Sequence, residues 1–143
     1  LTVVYACMIK KRPFDLVNED KPHDLSSSHL TKIIIENASG KMYFDDLSIV
    51  GDMPVTYDYE TFYVINNHVL SSMNVKYGTI VSESFDYILE EPCHTGESIL
   101  LIGHNETETC LMSVCPKSLK IESKYILNQP TSYGFHGLWL PNV

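Results

Sequence analysis

The stretch Ile99-Leu100-Leu101-Ile102-Gly103-His104-Asn105-Glu106-Thr107-Glu108-Thr109-Cys110-Leu111-Met112-Ser113-Val114 decides the fold class. Two apolar, β-prone runs flank a polar segment containing Gly, His and Asn, which is the pattern of an antiparallel hairpin. A turn at Gly103-His104-Asn105 sets Ser98–Ile102 opposite Thr107–Leu111, with the hairpin centred near His104. Working outward, short β-rich runs recur every ten residues or so along the rest of the chain. They are Thr2–Ile9, Lys32–Glu36, Lys41–Val50, Val55–Ile65, Val69–Met73, Lys76–Glu83, Phe85–Leu89, Thr109–Val114, Leu119–Ile126 and a last run at Tyr133–Leu140. Turn residues punctuate them at Ala38-Ser39-Gly40, Gly51-Asp52, Asn66-Asn67, Gly96, Pro116 and Gln129-Pro130. The spacing predicts an all-β fold, an antiparallel β-sandwich or barrel of about 8–10 short strands. At most one short helix is expected, at Asp24–Thr31, where Asp24 can cap a turn. Lys10 to Ser28 reads as a long connecting loop.

Composition agrees. Ala occurs only at Ala6 and Ala38, against nine Tyr and many Val, Ile and Thr. At 143 residues the chain is expected to form a single domain over 1–143 with a sizeable core. No apolar run approaches 18 residues, so no membrane insertion is expected. A net charge of −8 with Arg12 as the lone arginine disfavours nucleic acid, whose phosphates demand a basic surface.

Four cysteines bear on the compartment. In a hairpin centred near His104, Cys93 and Cys115 fall opposite one another. Cross-strand Cβ atoms lie about 4.5–5.5 Å apart, close to a disulfide's span. This pairing leaves Cys7–Cys110 to tie the first strand to the hairpin, although four cysteines permit other connectivities. Cys93, His94, His104, Cys110 and Cys115 include zinc-ligand types, but only Cys110 and Cys115 have close spacing, so no metal and no cofactor is expected. Asn37-Ala38-Ser39 and Asn105-Glu106-Thr107 are glycosylation acceptors placed at turns. The chain begins at Leu1 and not Met, as removal of a signal peptide or trimming would leave it. These features together predict a secreted or extracellular glycoprotein.

The main candidate surface is acidic and aromatic. Tyr43-Phe44-Asp45-Asp46 and Tyr57-Asp58-Tyr59-Glu60-Thr61-Phe62-Tyr63 interleave rings with carboxylates, without Lys or Arg between Met42 and Val75. Strand alternation sets Tyr57, Tyr59, Thr61 and Tyr63 on one face and Asp58, Glu60 and Phe62 on the other. Asp45, Asp46, Tyr57, Asp58, Tyr59, Glu60 and Tyr63 are thus the expected partner-binding residues, attracting a basic extracellular protein such as a cytokine, chemokine or receptor segment. A host-directed immune effector or decoy has this profile. No phosphate-binding glycine loop and no Gly-x-Ser-x-Gly elbow is present, so no catalytic residue is assigned.

Two alternatives stand beside this reading. The string Phe135-His136-Gly137-Leu138-Trp139 resembles the first active-site motif of the T2 ribonucleases, a secreted, disulfide-bonded family, over about eight residues. The resemblance implies a secreted hydrolase in which His136 transfers the proton of an RNA 2′-hydroxyl. Leu140 interrupts the motif's Trp-Pro junction, and the family's second histidine motif is missing. The other alternative is a structural domain of a larger surface glycoprotein.

Overall fold

The computed structural model describes residues 1–9, 28–128 and 140. Among them are eleven strands and no helix. They are β1 (Thr2–Ile9), β2 (Ser28–Ile35), β3 (Met42–Val50), β4 (Asp52–Thr56), β5 (Thr61–Asn66), β6 (Val69–Asn74), β7 (Thr79–Ser84), β8 (Ile88–His94), β9 (Ile99–His104), β10 (Thr109–Val114) and β11 (Ile121–Ile126). The all-β expectation holds. The strands form three antiparallel meanders, β1-β2-β3, β4-β5-β6-β7 and β8-β9-β10-β11, and none closes into a barrel.

The two central strands of the middle sheet, β5 and β6, are buried on both faces. Phe62 and Val64 of β5, with Met73 of β6, pack with Leu30 and Ile49 of the first sheet. The residues between them, Tyr63 and Ile65 of β5 and Leu70 of β6, pack with Leu89, Ile99, Leu101, Met112 and Val114 of the third sheet. Successive strand side chains point to opposite faces, so one uninterrupted apolar run feeds two cores. The register agrees, since Phe62 pairs across with Met73 and Ile65 with Leu70. Tyr5 of β1 reaches into the first cluster, its ring centroid 4.4 Å from that of Phe62.

The crossing from the first sheet to the middle one runs through Gly51. Its φ is +155°, a region L side chains rarely adopt. A Cβ there would lie 2.8 Å from both the Ile65 carbonyl oxygen and Val64 Cγ2. The Gly51 N–H also donates to the Ser28 carbonyl at 2.9 Å, fastening β2 to the crossover.

Several expectations need correction. Ser28 to Thr31, assigned to a short helix, lie in β2. Residues 24–27, most of the connecting loop and the run at 133–139 lie outside the described residues. The single strand expected over Val55–Ile65 is two strands separated by a turn. Asp58 makes that turn: its Oδ1 accepts the backbone N–H of Glu60 at 2.9 Å and of Thr61 at 2.8 Å. Thr56 Oγ1 accepts the Tyr59 N–H at 3.0 Å, and Tyr59 takes a φ of 59°. Local side-chain bonds of this kind compete with the sheet ladder and win here.

The hairpin of β9 and β10 also turns later than expected. His104 pairs with Thr109 and Gly103 with Cys110, so the loop is Asn105 to Glu108. Asn105 Oδ1 accepts the N–H groups of Thr107 and Glu108, which fixes the turn. The four thiols are free. Cys93 pairs across with Leu100, and Leu100 with Ser113, so a whole strand separates Cys93 from the chain leading to Cys115. Two strand spacings come to roughly 9–10 Å, beyond the reach of a disulfide. Cys7 packs in the cluster on one face of the middle sheet and Cys110 in the cluster on the other.

Substituting Gly51→Ala is expected to destabilise the fold by at least about 1–3 kcal/mol, the usual cost of a strained backbone position, with the steric overlap adding to it. Val3→Ala, on an exposed stretch of β1, should stay within about 0.5 kcal/mol. Urea unfolding with an unchanged m-value measures both.

Candidate functional site

Three turns converge at one end of the middle and third sheets. They are the Tyr57–Glu60 turn between β4 and β5, the Thr95–Ser98 turn between β8 and β9, and the Cys115–Lys120 turn between β10 and β11. Between them lies a cavity of about 510 Å3, lined by Tyr57, Asp58, Tyr63, His94, Glu97 and Cys115, with Lys117 among the remaining wall residues.

His94, at the end of β8, anchors its floor. Its ring stacks on Tyr57, with centroids 5.5 Å apart and planes 19° apart. Tyr63 meets the same imidazole at 5.3 Å with a 46° tilt. The Gly96 N–H donates to His94 Nδ1 at 2.9 Å, so the proton of the neutral ring sits on Nε2. Gly96 favours the stack, because its φ of +99° is one that L side chains rarely adopt and a Cβ would come within 3.1 Å of the Tyr57 ring. Burial pushes the His94 pKa down, with the charge of Asp58 opposing it, and the ring is neutral at physiological pH.

The remaining wall carries charge. Backbone N–H donation from Thr61, then from Glu60, holds the Asp58 carboxyl below its ordinary value, so it is ionised at neutral pH. Burial pushes the Tyr63 hydroxyl up, and the nearby charges of Asp58 and Cys115 add to this. Cys115 closes the β10–β11 hairpin, its N–H donating to the Lys120 carbonyl at 2.9 Å. The Ser118 hydroxyl and the backbone N–H groups of Ser118 and Lys117 point at its sulfur and lower the thiol pKa. The contrast with other thiols is large: burial, then Asp52, pushes Cys7 up to about 12, and burial also raises Cys110.

The candidate residues are thus divided. Tyr57, Asp58 and Tyr63 come together in the cavity. Tyr57 is 64% exposed, whereas Tyr63 is only 6% exposed and belongs to the core, not to an open face. Tyr59, 79% exposed, and Glu60 sit on the same turn but outside the cavity lining. Asp45 and Asp46 lie on β3 of the first sheet, where Asp45 pairs across with Lys32 and Asp46 Oδ1 accepts the Ser48 N–H at 2.8 Å. The single alternating strand expected over Tyr57–Tyr63 is therefore not formed. Asn37 and Asn105 are exposed at turns. His136 lies outside the described residues.

Sequence reasoning missed His94, Glu97 and Cys115 as neighbours of Tyr57. Gly96 marked the turn, yet nothing local indicated that this turn meets the one at Asp58.

Other polar clusters serve the third sheet. His104 bonds Thr109 Oγ1 and Glu90 Oε2, each at 3.1 Å. Lys124 donates to Tyr87 Oη at 2.7 Å and to Glu108 Oε1 at 2.9 Å. Among the described residues, no group of three His, Cys, Asp or Glu is placed to hold a metal ion, and no helix is long and apolar enough to cross a membrane. No protein-family model, curated protein or solved structure matches this chain.

The lowered pKa of His94 predicts a pH effect on stability. The unfolded histidine titrates near pH 6.5, above the folded one. As pH falls through about 6.5 the unfolded chain takes up this proton first, so stability is lost toward acid and regained above that pH. His94→Phe retains a ring against Tyr57 and should remove this share of the acid-side loss. Urea midpoints of both proteins between pH 7.5 and 5 should converge as pH falls; parallel curves would show that His94 titrates alike folded and unfolded.

Proposed function

We propose that the chain is a secreted or ectodomain protein-binding module that recognises a basic segment of another extracellular protein. A lysine or arginine side chain of that partner enters the Tyr57–Tyr63–His94 cavity. The observation that carries this reading is the meeting of three aromatic rings with the acidic side chains of Asp58 and Glu97 in one concave site. A cation over aromatic faces gains about 0.5–2 kcal/mol, most where water is excluded. The exposed part of the Tyr57 ring is open to a guest, while Gly96 and His94 hold it in place and reduce the entropy lost on binding. Lys117 opposes a cationic guest at the wall, but the two carboxylates outnumber it.

The net charge of −8 adds long-range attraction for a basic partner. Cytokines, chemokines and receptor segments with basic patches suit it, and a host-directed decoy role fits capture without turnover. With the thiols free, the extracellular placement rests on Asn37 and Asn105, whose exposed turns accept a glycan without disturbing either core. Asp45, Asp46, Tyr59 and Glu60 act in this reading as steering groups around the contact.

A glycine-spaced arginine peptide provides the test. Its affinity should fall roughly 2–30-fold in Tyr57→Ala, the range expected for one cation–π contact. Asp58→Asn with Glu97→Gln should slow association, chiefly at low salt. Asparagine can keep accepting the turn's N–H groups, so the fold survives. Equal affinity for a glutamate peptide, or no response to Tyr57→Ala, would remove the cavity as the recognition site.

A further inference from the structure

The same cavity contains a nucleophile that simple ionic recognition does not use. Cys115 lines it together with Asp58, Tyr63, His94, Glu97 and Lys117. Its sulfur is half-buried and faces a turn whose donors, the Ser118 hydroxyl and the Ser118 and Lys117 N–H groups, favour the thiolate. The thiolate is the reactive form of cysteine. Cys110 is fully buried in the core, and Cys7 packs against the first cluster with its thiol held protonated by burial. Cys93 is half-buried at the end of β8 but is not part of the cavity lining. One thiol of four is therefore set in a concave, water-accessible site beside groups that attract cations.

We propose that the cavity is a thiol–disulfide exchange site for disulfides carrying a cationic group, with Cys115 as the attacking sulfur. This rests on the reading of the cavity as a cation-binding site and adds a covalent step to it. The Cys115 thiolate attacks one sulfur of the incoming disulfide. A new S–S bond forms to Cys115 as the old S–S bond breaks. The departing sulfur leaves with the bonding pair and is protonated by water. One disulfide is consumed and one is formed, so no other oxidant is required. Asp58 and Glu97 concentrate a cationic disulfide at the sulfur and repel an anionic one. The neutral His94 ring beneath Tyr57 contributes no opposing charge.

Selectivity and location are both measurable. The fully reduced chain is incubated separately with cystamine, which is dicationic, hydroxyethyl disulfide, which is neutral, and dithiodiglycolate, which is dianionic. Intact mass against time gives the rates, and peptide mapping gives the position. The expected result is one adduct at Cys115, with cystamine roughly tenfold or more faster than dithiodiglycolate and hydroxyethyl disulfide between them. Asp58→Asn with Glu97→Gln should shrink that ratio severalfold. The cystamine adduct should also block the arginine peptide.

An adduct at Cys93 in preference to Cys115 overturns the proposal. So does a charge ratio that the double variant leaves intact, which would assign selectivity to the net charge of the whole protein. Cys115→Ala separates the two readings. If it binds the arginine peptide while the unaltered protein forms no cystamine adduct, exchange fails and ionic recognition stands. If the unaltered protein forms the adduct but no variant or parent binds the peptide, recognition of a basic segment fails and the thiol site stands.

Discussion

Burial of β5 and β6 on both faces is the constraint on which the other features depend. Phe62, Tyr63, Val64 and Ile65 follow one another without a polar break, and all four are buried. Each such side chain removed from water contributes about 1.5–3 kcal/mol, so exposing either face would forfeit a large part of the net stability. The first and third sheets are the two covers. A four-stranded sheet with one polar face would need only one of them, and the chain would then have no use for the Gly51 crossover. That crossover is where backbone from the first sheet approaches the Val64–Ile65 backbone too closely for any Cβ.

The cavity is a product of the same arrangement. Tyr63 lies on the face of β5 that meets the third sheet, and it carries the aromatic wall from the core out to His94. Tyr57 would continue β4 if the strand ran on. Asp58 ends it by taking two backbone N–H groups, and the ring is left lying over Gly96. The acid that shapes the turn is also a charge that acts on the Tyr63 and His94 rings. Backbone donation lowers the pKa of its carboxyl, so the bonds that form the turn also favour the site's negative charge. Structure and electrostatics are coupled through one side chain.

How much of this was legible in the residues varies by scale. Strands β1 and β10 match their expected bounds, since both are runs of β-branched and apolar residues ended by clear changes in character. The break after Thr56 was not read, because Tyr57 to Tyr63 alternates as well as a true strand does. The Thr-x-Asp spacing that caps the turn was the available signal, and the more conspicuous tyrosines obscured it. The run Phe62 to Ile65 likewise signalled a strand buried on both sides, inconsistent with an open face at Tyr63. The His94–Tyr57 contact had no local signal at all. It depends on which sheets stack, and nothing near either residue in the sequence encodes that.

The thiols show how small errors of register change a chemical conclusion. Placing the β9–β10 turn near His104 aligned Cys93 with Cys115. The true loop begins at Asn105, because its carboxamide oxygen can accept two successive backbone N–H groups there. The Thr95–Ser98 turn also folds Cys93 back onto Leu100, which stands between it and β10, and Cys115 lies in the next turn. The middle sheet separates the other pair by roughly 20 Å, the thickness of two packed layers. Cys115 is then free to meet solvent and to accept N–H groups that stabilise its thiolate, while Cys7 and Cys110 are held protonated by the cores they help fill. A single fold therefore raises the pKa of two of its sulfurs and lowers that of another, through burial for the former and hydrogen bonding for the latter.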